Sequence, residues 1–108
     1  MHVKNYKSHQ MTIHQTLTSL ENATNPVAKV IHQSEHSKVI VLGFKEGMTL
    51  ADHKTNVKTT LVVIKGTVCY LQDGEKTILH QFDQLAIPVN LIHAVQAIED
   101  SVCFLIRS

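Results

Sequence analysis

Beyond Asn25-Pro26 the chain runs in short apolar stretches rich in Val, Ile and Leu, broken by polar residues every 8 to 12 positions or so, the rhythm of an all-β sandwich or barrel. The pattern predicts nine strands: VAKVIHQ at 27–33, KVIVLGF at 38–44, MTLADH at 48–53, TLVVIKG at 60–66, TVCYLQ at 67–72, KTILHQ at 76–81, QLAIP at 84–88, HAVQAI at 93–98 and SVCFLI at 101–106. Asp73-Gly74 between TVCYLQ and KTILH is the clearest hairpin turn, and Glu46-Gly47 is a second turn signal. A sheet wetted on one side alternates apolar and polar positions, whereas VIVL at 39–42 and LVVI at 61–64 are apolar on both faces. Something must cover both sides of those strands: the flank of an opposite sheet, the N-terminal segment, or a second copy of the chain. A homodimer is the expectation.

Ahead of the strands, residues 1–26 form an N-terminal segment to a single domain spanning 1–108, with the barrel at 27–107. No stretch there has sustained helical periodicity. QTLTSLENA at 15–23 sets Leu17 and Leu20 three apart before Asn25-Pro26, which predicts one or two helical turns and a stop.

Composition narrows the classes. With 108 residues there is room for one hydrophobic core and one pocket, and 44% apolar against 18% charged residues places the chain among folded rather than disordered proteins. The formal charge of +1, with lysines scattered among acids, leaves no electrostatic footprint for nucleic acid or anionic lipid. MHVKNYKSHQMTIH lacks an apolar h-region and no segment approaches the ~18 apolar residues of a spanning helix, so a cytoplasmic protein is expected. Cys69 and Cys103 sit in apolar strand settings without metal or redox spacing and are read as buried free thiols. Of the eight histidines, His2, His9, His14, His32 and His36 stand in polar surroundings and are expected in solvent.

The remaining histidines fall into a pattern. Gly47 is followed after five residues by His53, then by Thr55, Thr59 and Gly66; Phe82 is followed after five residues by Pro88, then by Asn90 and His93. Over about 38–107 this resembles the two motifs of the cupin family. Gly47, His53, Gly66, Pro88 and His93 match. Thr55 and Thr59 stand where the pattern has a second histidine and a glutamate, Phe82 and Asn90 replace glycines, and Ala97 replaces an asparagine.

The resemblance implies a small jelly-roll-like β-barrel, commonly dimeric, with a pocket in the barrel. Independently, residues two apart on a strand share a face, so an extended stretch would send His53, Thr55, Val57 and Thr59 to one side. Asn tolerates a left-handed backbone well, so Asn90 is a mild substitution for glycine, whereas Phe82 is a harsh one and predicts a turn unlike the family's.

In metal-binding cupins the two histidines, the glutamate and the later histidine are the ligands; carried over, only His53 and His93 remain. Neutral threonine hydroxyls are poor donors to zinc, iron, manganese or nickel, and two imidazoles with waters bind weakly. His80 is expected on the rim. Asp52 neighbours His53 and therefore faces away from it, which weakens an acid/base pairing of the sugar-epimerase kind. No serine or cysteine lies in a nucleophile elbow.

The reading is a small-molecule-binding cupin lacking the full metal tetrad. Its ligand is expected in the barrel mouth against His53, Thr55, Thr59 and His93, with an apolar wall of Met48, Leu61 and Val63. One alternative is a metal-dependent enzyme of dioxygenase or isomerase type using His53 and His93 with a divalent ion. Another is a dimeric regulatory or interaction module with a filled barrel. The fold names neither ligand nor reaction.

Overall fold

The computed structural model describes residues 10–108, with only the backbone of Asp52 and His53. His2 and His9 lie outside the described residues. Helix α1 (Thr12–Leu20) precedes β1 (Val27–Gln33), β2 (Lys38–Phe44), β3 (Thr49–His53), β4 (Thr59–Lys65), β5 (Val68–Gln72), β6 (Glu75–Leu79), β7 (Gln84–Ile87), β8 (His93–Ala97) and β9 (Ser101–Arg107). All pairings are antiparallel, in one sheet ordered β1-β2-β9-β4-β7 and another ordered β3-β8-β5-β6. No described helix is long and apolar enough to cross a membrane.

Alternation along the strands builds the space between the sheets. In the larger sheet Leu61 lies opposite both Leu85 and Leu105, and Leu105 opposite Ile40, which makes one apolar row across four strands. Leu42, Phe44, Leu61, Val63 and Cys103 join Val68, Tyr70, Leu79 and Val95 of the smaller sheet in one buried cluster. Each fully buried aliphatic or aromatic side chain contributes roughly 1.5–3 kcal/mol, so this seam dominates cohesion between the sheets. Cys69 and Cys103 are buried and unpaired. Burial pushes the Cys103 thiol up to about 12.

The next row toward one end of the larger sheet brings in polar groups: Thr59 stands between Ile87 on β7 and Arg107 on β9. Thr59 is buried and Arg107 half-buried.

The helix is longer and starts earlier than the sequence pattern predicts. Its buried face is Thr16 and Leu20, while Leu17 is exposed. It packs on Gly43 of β2, where an added Cβ would meet Thr16 Cγ2 at 3.2 Å and Leu20 Cδ2 at 3.3 Å. The doubly apolar VIVL stretch thus has its outer cover from the N-terminal segment: Val41 is fully buried although it lies outside the inter-sheet cluster. Farther along that outer face Val62, Ile64 and Phe104 are half-buried and Ile106 is exposed.

The turns keep left-handed backbone where glycine was expected. Gly47 and Gly66 have φ of +84° and +88°, and Asn90 has +62°. Phe82 also sits at +72°, so the turn expected to differ retains the glycine-like geometry. The residue is 75% exposed, and its N–H donates to the Val63 carbonyl at 2.6 Å, tying the turn to β4.

Candidate functional site

Residues 54–58 between β3 and β4 are irregular, so the expected single extended run from His53 to Thr59 is interrupted. Local hydrogen bonding explains the break. The Thr55 hydroxyl accepts from the Val57 N–H at 3.4 Å and donates to the Val57 carbonyl at 3.1 Å, a threonine turn that competes with strand geometry. Thr59 Oγ1 donates to the same carbonyl at 3.1 Å and lies 3.3 Å from Thr55 Oγ1. The turn brings the two hydroxyls together and inward, while Val57 stays half-buried beside them. The Asn90 N–H donates to the Thr55 carbonyl at 2.8 Å, fastening this connection to the turn before β8.

His93 opens β8 and is 4% exposed. It lies opposite position 53 in the β3–β8 register, so the backbone makes the two histidine positions cross-strand neighbours forty residues apart in sequence. The side chains of His53 and Asp52 lie outside the described residues. His93 Nδ1 lies 3.2 Å from the Leu91 carbonyl, the geometry of an N–H donor to that oxygen, and the His93 ring stacks on Tyr70 with centroids 5.8 Å apart. Tyr70 donates its hydroxyl to Gln72 Oε1 at 2.7 Å. Burial, and then the nearby Asp73 charge, raise its pKa, so the phenol stays a neutral donor.

Thr55, Thr59 and His93 border a cavity of about 260 Å³ between the sheets, and Lys54 and Arg107 complete its polar lining. Its apolar wall comes from Ile40, Leu42, Leu50, Ile87 and Leu105, together with Ala28. Thr55, Thr59 and His93 thus converge, as the motif spacing predicts. Leu61 and Val63 lie in the fully buried core beneath, and Met48 packs against that core, so none of these three lines the cavity. His80 is exposed past the end of β6, and His14, His32 and His36 are exposed as expected.

Sequence reasoning missed Lys54, Arg107 and the true apolar wall. A signal for Arg107 existed: Cys103, Leu105 and Arg107 are spaced two apart on one strand, so the inward face of β9 ends on a guanidinium.

At the four positions where the motif carries metal ligands, the donor set does not fit a resident ion. Thr55 and Thr59 are neutral and engaged with Val57, and among the described residues no group of three or more His, Cys, Asp or Glu could hold a metal.

No protein-family model and no curated protein matches the chain. Solved structures do. It is similar to an uncharacterized protein with a double-stranded β-helix domain from Klebsiella pneumoniae, at 20% identity and a TM-score of 0.77 over 94% of this chain and 90% of that one. A cupin superfamily protein from Desulfitobacterium hafniense aligns over 99% and 97% of the two chains at 17% identity and a TM-score of 0.76. An RmlC-like cupin from Desulfovibrio desulfuricans aligns over 100% and 96% at 22% identity and a TM-score of 0.73. At such identities the likeness is one of fold: two antiparallel sheets in the cupin double-stranded β-helix.

Proposed function

We propose that this chain, whose fold is that of the RmlC-like cupins, binds a small organic molecule between its two sheets, in contact with Thr55, Thr59 and His93. The observation that carries the reading is the cavity itself, where a few converging polar groups stand over an apolar wall, the usual anatomy of a ligand site. At about 260 Å³ it lies just below the ~300–1,000 Å³ of typical ligand pockets. The ligand is therefore small, on the order of ten non-hydrogen atoms. The backbone register of position 53 opposite His93 supports counting His53 in the same site. The neutral threonines argue against the metal-enzyme alternative, and the open space argues against a filled barrel.

The binding unit is a homodimer paired through the outer face of β9 and β4, beyond the part of the sheet that the helix covers. Apolar Val62, Ile64, Phe104 and Ile106 there support a second copy as cover. Sedimentation equilibrium should return the mass of two chains; a monomer at all concentrations would remove this part.

Ligand binding is tested by amide NMR against a panel of small organic acids, amides, alcohols and sugars. Shifts confined to Thr55, Thr59, His93 and Leu50, abolished when Ile40→Trp fills the cavity, are expected. Shifts elsewhere only, or none across the panel, would overturn the reading and favour the interaction module.

A further inference from the structure

The charges that the described residues bring to the cavity all have one sign. Arg107 and Lys54 line it, and no described carboxylate does. Neither side chain makes an ion pair or hydrogen bond with a described residue. A half-buried guanidinium with no counter-charge among the described residues bears a desolvation cost that an incoming anion would relieve. Register fixes its position: Arg107 is the direct cross-strand partner of buried Thr59, so its side chain leaves β9 on the cavity face.

The other polar groups are less able to meet an anion. The Thr55 and Thr59 hydroxyl protons are directed at the Val57 carbonyl. His93 Nδ1 is directed at the Leu91 carbonyl. The two cations are then the strongest donors on the described lining. Opposite them the wall is aliphatic, from Ile40, Leu42, Leu50, Ile87 and Leu105.

We propose that the cavity takes a small monocarboxylate, its carboxylate on the Arg107 guanidinium with Lys54 beside it and its apolar body against the Leu50–Leu105 wall. A carboxylate matches the planar fork of one arginine in a two-bond pairing. One negative charge with an aliphatic or aromatic body fills both halves of the space, whereas a bare phosphate leaves the apolar half empty. This assignment rests on the cavity being the ligand site and adds the chemical class of the ligand.

The test pairs butanoate, hexanoate, octanoate and benzoate with their primary amides, which share shape but lack charge. Binding is followed by amide NMR at Thr55, Thr59 and His93. The acids are expected to bind at least about tenfold more tightly than the amides and to weaken as salt rises from about 50 to about 500 mM. Arg107→Gln should reduce acid binding about tenfold and amide binding by much less, since the amide loses one neutral hydrogen bond and no charge pairing, with Arg107→Lys intermediate for the acids. Recovery by lysine separates lost charge from lost fold. If amides bind as well as acids and Arg107→Gln changes neither, the anion assignment falls while the cavity reading stands. If neither series shifts the three amides, both fall. Inorganic phosphate displacing the carboxylates at lower concentration than they themselves require would overturn the carboxylate in favour of a phosphoryl ligand.

Discussion

Replacing Gly66 by alanine should be far more damaging than replacing Gly74, although both residues have positive φ, +88° and +75°. The left-handed backbone costs an L-residue roughly 1–2 kcal/mol, partly offset by about 0.4–1 kcal/mol from the stiffer unfolded chain. Gly74 carries that term alone, since an added Cβ meets nothing within 4 Å. At Gly66 the added carbon overlaps Ser101 Oγ and the Asp100 carbonyl oxygen and comes within 2.9 Å of Ser101 Cα. Two of these are backbone atoms and cannot rotate away. Ser101 is also held in place: its hydroxyl accepts from the Thr67 N–H at 3.1 Å and lies 2.7 Å from the Glu99 carbonyl, to which it donates. Moving it adds about 1–3 kcal/mol of overpacking and broken bonds. Gly74→Ala should therefore cost about 0.5–1 kcal/mol and Gly66→Ala about 2–4 kcal/mol. At ~4–8 °C per kcal/mol for a domain near this size, the second loss is a fall of roughly 10–25 °C in Tm. Urea unfolding followed by circular dichroism measures both. If the two variants fall within about 0.5 kcal/mol of each other, the close approach of the β4–β5 turn to the start of β9 is wrong.

Three further outcomes follow from the same geometry. Phe82→Gly should leave stability unchanged or raise it by up to about 1 kcal/mol, because relief of left-handed strain at an exposed ring outweighs the entropy of glycine; a loss above about 1 kcal/mol in thermal unfolding would show that the ring packs. The Cys103 thiol, at about 12 when folded against an ordinary 9.0, binds its proton more tightly in the native state, so its contribution is intact below pH 9 and lost between 9 and 12. Stability should fall by up to about 1.4 kcal/mol per pH unit in that window, and Cys103→Ala should flatten the slope in alkaline urea titrations; an unchanged slope refutes it. Finally, Thr55→His combined with Thr59→Glu should raise bound divalent metal, by elemental analysis, to about one per chain from a substoichiometric level; stoichiometric metal in the unaltered protein would show that the threonines do not prevent a site.

Strand positions were legible because burial on two faces leaves dense β-branched runs, and turns were legible from Gly47, Gly66 and Asp73-Gly74. The helix was misplaced because its anchor one turn ahead of Leu20 is Thr16, whose methyl rather than any polar feature packs on Gly43. Its hydroxyl turns back to the Thr12 carbonyl at 2.9 Å, so a residue that reads as polar serves an apolar contact. Phe82 misled for a related reason: steric preference said glycine, but the tertiary bond to Val63 holds the turn regardless. In the site, Thr55, Thr59 and His93 were legible through spacing. Leu61 and Val63 were assigned to the wall because inward-facing was equated with cavity-lining. Alternation gives the face of a residue and not its depth; Leu61 and Val63 are fully buried in the packed middle, whereas Thr59 and, from the Leu61 row, Ile40 and Leu105 reach the cavity. Lys54 follows a strand end and has no periodic signal at all.

Strand β9, between β2 and β4, is also the last of the nine to be synthesised. Until it arrives, β2 and β4 each have a bare edge in the middle of what becomes the larger sheet, and the wall carrying Leu105 and Arg107 does not exist. Assembly is therefore all-or-none and late, waiting on contacts distant in sequence, which slows it and exposes sticky edges meanwhile. A chain shortened before Ser101 should neither fold nor stay dispersed, and a nascent one depends on whatever shields those edges on the ribosome.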